Sequence, residues 1–137
     1  MLEQTLRIID DQIDHYPNRE SLIEWLTEEF SQSPVGVFLK DHDENYVFVN
    51  NAFETYVGMP ANDVLGKSDF DFMRLDDARR CAESDILAVE KMGELYESSE
   101  LEKDANGKVV ASITVYKKAF ATSFGNVLFG IFKRDEE

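Results

Sequence analysis

Val127-Leu128-Phe129-Gly130-Ile131-Phe132 carries no polar side chain at any position. An antiparallel strand with one wet face alternates apolar and polar residues. A strand that does not alternate is covered on both faces, so this one is expected at the centre of a sheet with helices or a second subunit packed above and below. Working outward, two further strands are expected upstream, Glu94 to Lys103 and Lys108 to Phe120. They are joined by the turn signals Asp104-Ala105-Asn106-Gly107 and Ser123-Phe124-Gly125-Asn126.

Before these strands the spacing predicts one long helix, about Asp76 to Met92, ended by Gly93. Asp76 and Asp77 suit its positive end and Lys91 its negative end. Its apolar stripe reads Ala78, Ala82, Ile86, Val89, Met92. Further upstream, Val35 to Lys40 and Tyr46 to Val49 form a hairpin around the polar turn Asp41-His42-Asp43-Glu44-Asn45. Asn50 or Asn51 caps a short helix, with Glu54 placed as in a capping box. Gly58, Pro60 and Gly66 punctuate two more short turns, and the compact piece Ser68 to Met73 carries Phe70 and Phe72.

Two strands, a cluster of short helices, one long helix and three strands predict an α+β fold: an antiparallel five-stranded sheet with the short helices and the long helix on one face. Residues 1–32 form a separate helical extension and 33–137 the domain. In the extension, Leu2, Leu6, Ile9, Ile13 and Tyr16 follow a four-three spacing, broken by Pro17 before a second helix through Leu22, Ile23, Trp25, Leu26 and Phe30. Two readings stay open: these amphipathic helices cover the sheet of their own chain, or Leu2, Leu6, Ile9 and Ile13 form a homodimer contact.

Bulk composition excludes several functions. The chain has 137 residues, enough for one domain with a core, and ten Phe and five Tyr to fill it. Its formal charge of −14 repels phosphate backbones and anionic lipid heads, so no direct nucleic-acid or membrane contact is expected. Cys81 is the single cysteine, which forbids an internal disulfide and points to a reducing compartment. No apolar run approaches the roughly 20 residues that span a bilayer, and the charged N-terminus lacks the apolar heart of a signal peptide. A cytoplasmic location follows, with Met1 as the native start.

The ordered pieces Ser33-Pro34-Val35-Gly36-Val37-Phe38, Asn50-Asn51-Ala52-Phe53, Tyr56-Val57-Gly58, Val64-Leu65-Gly66-Lys67 and Gly130-Ile131-Phe132-Lys133-Arg134-Asp135 together resemble the PAS family over about Ser33 to Asp135. The resemblance implies a sensory or dimerising module inside a larger bacterial-type signalling protein. Such a module relays to an output beyond residue 137, which in the family is a histidine kinase, a diguanylate cyclase or a transcription regulator. The family's closing Asp-Ile-Thr triplet is only partly matched: Asp135 is present as the coupling residue, and Glu136 and Glu137 replace the rest.

Cofactor and catalytic chemistry find little support. Asp41, Asp43 and Asn45 start like a calcium loop, but Tyr46 stands where Gly is needed and Ala52 where the bidentate Glu is needed. A haem ligand is missing, because His15 lies in the N-terminal helix and His42 in the hairpin turn. The family's photochemical flavin domains carry Asn-Cys-Arg, whereas this chain has Arg79-Arg80-Cys81-Ala82, so neither haem nor covalent flavin is expected. No nucleophile motif, general-base pairing or glycine-rich phosphate loop is present, so no catalytic residues are assigned. A non-covalent small ligand would lie between the long helix and the sheet. Phe70, Phe72, Asp85, Tyr96, Ser98, Ser112, Thr114 and Tyr116 are the candidates to line its pocket. Asp85 is expected to pair with Arg79, Arg80 or a backbone group. The alternative is a ligand-free module for dimerisation or protein interaction.

Overall fold

In the computed structural model of the chain, residues 2–103 and 106–135 are described, except for the side chains of Leu2, Glu3, Asp14 and Glu102. The element order is α1 (Leu2–Gln12), a 3-10 turn (Ile13–His15), α2 (Arg19–Phe30), β1 (Gly36–Lys40), β2 (Tyr46–Val49), α3 (Asn51–Val57), α4 (Ala61–Val64), α5 (Asp69–Phe72), α6 (Leu75–Glu90), β3 (Tyr96–Lys103), β4 (Val109–Thr122) and β5 (Gly125–Arg134). The strands form one sheet in the order β2-β1-β5-β4-β3, with every neighbouring pair antiparallel. β5 is therefore central, as its unbroken apolar run requires, and 127–132 are buried throughout.

Strand alternation divides the core in two. Val127, Phe129 and Ile131 of β5 join Val37 and Leu39 of β1 beneath the N-terminal helices, packed against Ile9, Ile13, Leu22, Leu26 and Phe30. On the opposite face Phe132, Phe38, Tyr46, Val49, Ile113 and Val115 pack under Phe53 and Val64 of the short helices. Each fully buried side chain of this size contributes roughly 1.5–3 kcal/mol of transfer free energy. Two glycines admit the largest rings. A Cβ on Gly130 would lie 2.0 Å from the tip of the Phe38 ring, and one on Gly36 would lie 2.3 Å from the tip of Phe132. Each ring fills the space over the glycine on the strand beside it.

One buried side chain ties the junction of three elements. Asn50 Oδ1 accepts from the Val37 N–H at 2.9 Å and the Phe53 N–H at 3.1 Å, while Nδ2 donates to the Phe30 and Val35 carbonyls at 2.9 Å each. Asn50 thus caps α3 and holds the end of α2 against β1. Glu54 closes no capping box; its carboxylate accepts from the Ala61 N–H at 2.7 Å and fixes the start of α4 instead.

Three sequence-based expectations change. The long helix buries Ala78, Ser84, Asp85 and Ala88, while Ile86 is 53% exposed and Val89 and Met92 also face outward. Small and charged residues line the inner side because the helix lies close to the sheet and is held there by ion pairs. On β4, Ile113, Val115, Lys117 and Ala119 face the short helices and α6. Ser112, Thr114 and Tyr116 share the other face, where Tyr116 packs against the core beneath the N-terminal helices and Ser112 is exposed. Finally, Ile9 and Ile13 are each 1% exposed inside their own chain's core, with Leu6 half-buried against it. They have no surface left for a subunit contact, and the Leu2 side chain lies outside the described residues. Asp10 of α1 adds an ion pair to Lys118 of β4 at 2.7 Å. Among the described residues no helix is long and apolar enough to cross a membrane.

Ile9→Ala is expected to lower the unfolding free energy by about 2–5 kcal/mol, the cost of a cavity in a packed core. Because Ile9 packs in cis, the loss measured by urea denaturation should be the same at low and high protein concentration. A loss that shrinks as the protein is concentrated would place Ile9 in a subunit contact instead.

Candidate functional site

Lys40 ends β1 on the same face as Phe38, and Lys117 follows Val115 at the inward spacing of two on β4. Both ammonium groups therefore point under α6, where water is excluded. Burial of an unpaired charge is prohibitive, and the chain answers with two carboxylates. Asp85 of α6, 0% exposed, bridges them: Oδ2 accepts from Lys40 Nζ at 2.6 Å and Oδ1 from Lys117 Nζ at 2.7 Å. Asp69, the first residue of α5, accepts from Lys40 Nζ at 2.7 Å and from the Tyr46 hydroxyl at 2.5 Å. Lys117 also donates to Ser84 Oγ at 2.6 Å. Two cations and two anions balance, and each of the four charged groups is placed by a different element.

Burial alone would push the Lys40 ammonium down, but the neighbouring Asp85 and Asp69 outweigh it and hold the lysine above its ordinary range. Burial, then the Asp69 carboxylate, pushes the Tyr46 hydroxyl well up. Lys40 also lies 4.7 Å from the centre of the Tyr46 ring, a cation–π contact in a dry setting. Burial raises the Cys81 thiol to about 12, so at neutral pH it is a neutral packing group. Burial also raises Glu100, against the pull of Lys117 and with the push of Asp85 and Asp69.

Beside this network lie two connected spaces. The inner one, about 40 Å³, is lined by Phe38, Lys40, Tyr46, Phe53, Glu100 and Lys117 among others, room for little more than a water molecule. The outer one is an open cleft of about 250 Å³ between α3, the start of α6 and β3, walled by Tyr56, Phe72, Met73, Arg74, Cys81 and Glu100 among others. Tyr56, Val57, Met73, Cys81 and Glu100 line both. A third, shallower groove of about 360 Å³ runs between α6 and β3 past Ser84, Tyr96, Ser98 and Glu100.

The sequence-predicted residues separate accordingly. Phe72 lines the cleft, whereas Phe70 is 52% exposed, because the four-residue α5 turns Asp69 and Phe72 inward. Asp85 is at the centre of the network, with Lys40 and Lys117 as partners in place of Arg79 or Arg80. Tyr96 and Ser98 face α6 along the groove, and Ser98 Oγ is buried without a hydrogen-bond partner. Ser112, Thr114 and Tyr116 do not reach the site, for they lie on the opposite face of β4. Two of them serve the chain's end. The Asp135 carboxylate accepts from Ser112 Oγ at 2.9 Å and Thr114 Oγ1 at 2.5 Å, and these bonds, Thr114's foremost, hold it below the ordinary carboxylate range. Lys40, Lys117, Asp69, Tyr46 and Glu100 escaped the sequence reading. The available signal was an inward-facing lysine on each of two strands, matched by one acid on the buried side of a helix.

An antiparallel sheet of order 2-1-5-4-3, with a short-helix cluster and one long helix over a charged network on one face, defines an α+β domain. The chain belongs to the PAS fold family, whose sequence profile matches residues 30–109, more than half its length. Among solved structures it is similar to the PAS domain of Bordetella pertussis BvgS, at 18% identity and a TM-score of 0.73, covering 87% of this chain and 89% of that one. It is similar to the PAS domain of a HTR-like protein from Haloarcula marismortui, at 19% identity and a TM-score of 0.59, covering 85% and 100%. It is also similar to Vibrio cholerae VqmA in a complex with ligand and DNA, at 18% identity and a TM-score of 0.67, covering 81% of this chain and 50% of that one. No curated protein sequence matches at a significant level. PAS domains are generally sensory or signalling modules and typically non-catalytic.

Two outcomes test the electrostatics of the site. Asp85→Ala leaves two buried ammonium groups short of a partner and is expected to cost about 3–5 kcal/mol of stability, read by denaturant unfolding. Glu100→Gln acts in the opposite sense. A folded-state acid raised above its ordinary 4.5 favours folding only below that pH, and the contribution disappears as pH rises through the folded value. Glu100→Gln should therefore stabilise the fold at pH 7 and make little difference at pH 4. Equal effects at both values would contradict the raised carboxyl.

Proposed function

We propose that this chain is a non-catalytic sensory domain that binds a small molecule non-covalently in the open cleft and relays its occupancy to an output joined beyond residue 137. The observation that carries this reading is the sharing of Met73, Cys81 and Glu100 between the cleft and the inner cavity beside Lys40 and Lys117. An occupant of the cleft touches side chains that lean on the ionic network, and the network joins α5 and α6 to β1 and β4. β4 in turn holds Asp135 through Ser112 and Thr114, at the point where an output would begin. The solved structure of VqmA with ligand and DNA lends support by analogy of fold, to a transcription regulator among the possible outputs. A homodimer belongs to this proposal, with its contact on surfaces other than Ile9 and Ile13.

A second reading, a ligand-free interaction module, is favoured by the inner cavity of only about 40 Å³: the space between long helix and sheet is already filled by aromatic rings and paired charges. Titration of the isotopically labelled chain with a library of small aromatic and aliphatic compounds separates the two. The ligand reading expects amide shifts at Met73, Cys81 and Glu100 that saturate, and their loss on Met73→Trp, which blocks the cleft. A library that leaves these resonances unmoved would reject it in favour of the ligand-free module.

A further inference from the structure

Across the whole chain acids outnumber bases by 28 to 14. The cleft departs from that ratio: among the described residues Arg74, Arg80 and Lys103 line it, against Asp77 and Glu100. Each acid is partly offset by its surroundings. Asp77 is paired with Arg80, and burial pushes Glu100 towards its neutral form. Arg74, the N-cap of α6, stretches its guanidinium towards the β3–β4 turn, where a Cβ on Gly107 would lie 3.7 Å from Nη1. Asp76, on the first turn of α6, reports the local field: backbone hydrogen bonds, then the charges of Arg74 and Lys103, hold its carboxyl low. With Arg80 paired to Asp77, Arg74 and Lys103 are the cationic groups the cleft presents, with Asp76 beside them.

Below the rim the walls are apolar. Tyr56, Val57 and Met59 form one side, Phe72 and Met73 another. Resting on the reading of the cleft as a ligand site, we infer that it takes a small organic anion with an apolar or aromatic body, of the arylalkyl or short-chain carboxylate class. The carboxylate sits at Arg74 and Lys103, and the body lies against Phe72, Met73 and Tyr56. Guanidinium and ammonium donors make charge-assisted hydrogen bonds to such a group, and the flat rings and thioether take up its apolar end. The volume of about 250 Å³ is under the roughly 300–1,000 Å³ of drug-sized pockets, which restricts the ligand to a fragment-sized molecule. The inner network plays no part in neutralising it, since both buried lysines are already matched by Asp85 and Asp69.

Three probes of one shape and different charge test this: phenylacetate, phenethylamine and 2-phenylethanol, titrated into the labelled 137-residue chain. The inference expects phenylacetate to shift the amides of Met73, Arg74 and Glu100 and to bind about tenfold more tightly than the amine or the alcohol. Its affinity should fall with added salt, because the rim is exposed. Arg74→Gln should weaken phenylacetate about tenfold, while Arg79→Gln, on an exposed residue outside the cleft, should leave it unchanged. Amine or alcohol binding as tightly as phenylacetate, or an Arg74→Gln chain that binds it undiminished, would overturn the charge preference while leaving the cleft as a ligand site. Failure of all three probes to move those amides would overturn both.

Discussion

Asp85 between Lys40 and Lys117 is the constraint on which the rest of the structure rests. Buried ion pairs give little net stability, because desolvation consumes most of the Coulombic gain, but they punish any arrangement that separates them. Here the carboxylate comes from α6 and the two ammonium groups come from β1 and β4, strands that flank the central β5 on either side. Only one placement of α6 across the sheet satisfies both. That placement forces the helix to present Ala78, Ser84 and Ala88 to the core, since larger side chains would lift Asp85 out of reach.

The same bridge determines where a ligand can and cannot go. The ground between long helix and sheet is taken by four charged groups, the Tyr46 ring and the Phe38, Phe53 and Phe132 rings, which contact one another at centroid distances of 5.7 to 6.4 Å for the Phe38 contacts. The open volume has moved outward, to the cleft where α5 and the first turns of α6 meet β3. α5 is four residues long and is held down by Asp69. The wall carrying Phe72 and Met73 is therefore attached to the charged network by Asp69 and to the core by the Phe72 ring against Tyr46.

The sequence made the sheet legible because β5 has no polar side chain from Val127 to Phe132 and the turn residues fall where hairpins need them. Asn50 was visible as a cap, although its four hydrogen bonds to three elements were not. The site was much less legible. Lys40 and Lys117 were not singled out, since nothing local distinguishes a lysine that will be buried from one that will not; the difference is a carboxylate 45 residues away from Lys40 and 32 away from Lys117. The face of α6 was misread for the same reason: hydrophobicity favoured Ile86 and Val89, whereas the buried side is selected by Asp85. On β4 two faces competed, and Ile113 and Val115 turned inward while the hydroxyls of Ser112 and Thr114 remained for Asp135.

That division of β4 gives the proposed relay its physical route. Lys117 on one face belongs to the ionic network, and Thr114 on the other face holds the Asp135 carboxylate; only Val115 and Tyr116 lie between them. Glu100 of β3 lies opposite Ile113 in the register, beside the cleft, and Ile113 lies opposite Arg134, the last residue of β5. A change in charge or packing at Glu100 therefore acts one strand away from Asp135, through a ladder of backbone hydrogen bonds. On the opposite face of the sheet Asp10 holds Lys118 and Ile9 and Ile13 pack over the central strands. The proposed relay therefore follows the β3–β4–β5 register from Glu100 to Arg134 and on to Asp135, which Ser112 and Thr114 hold.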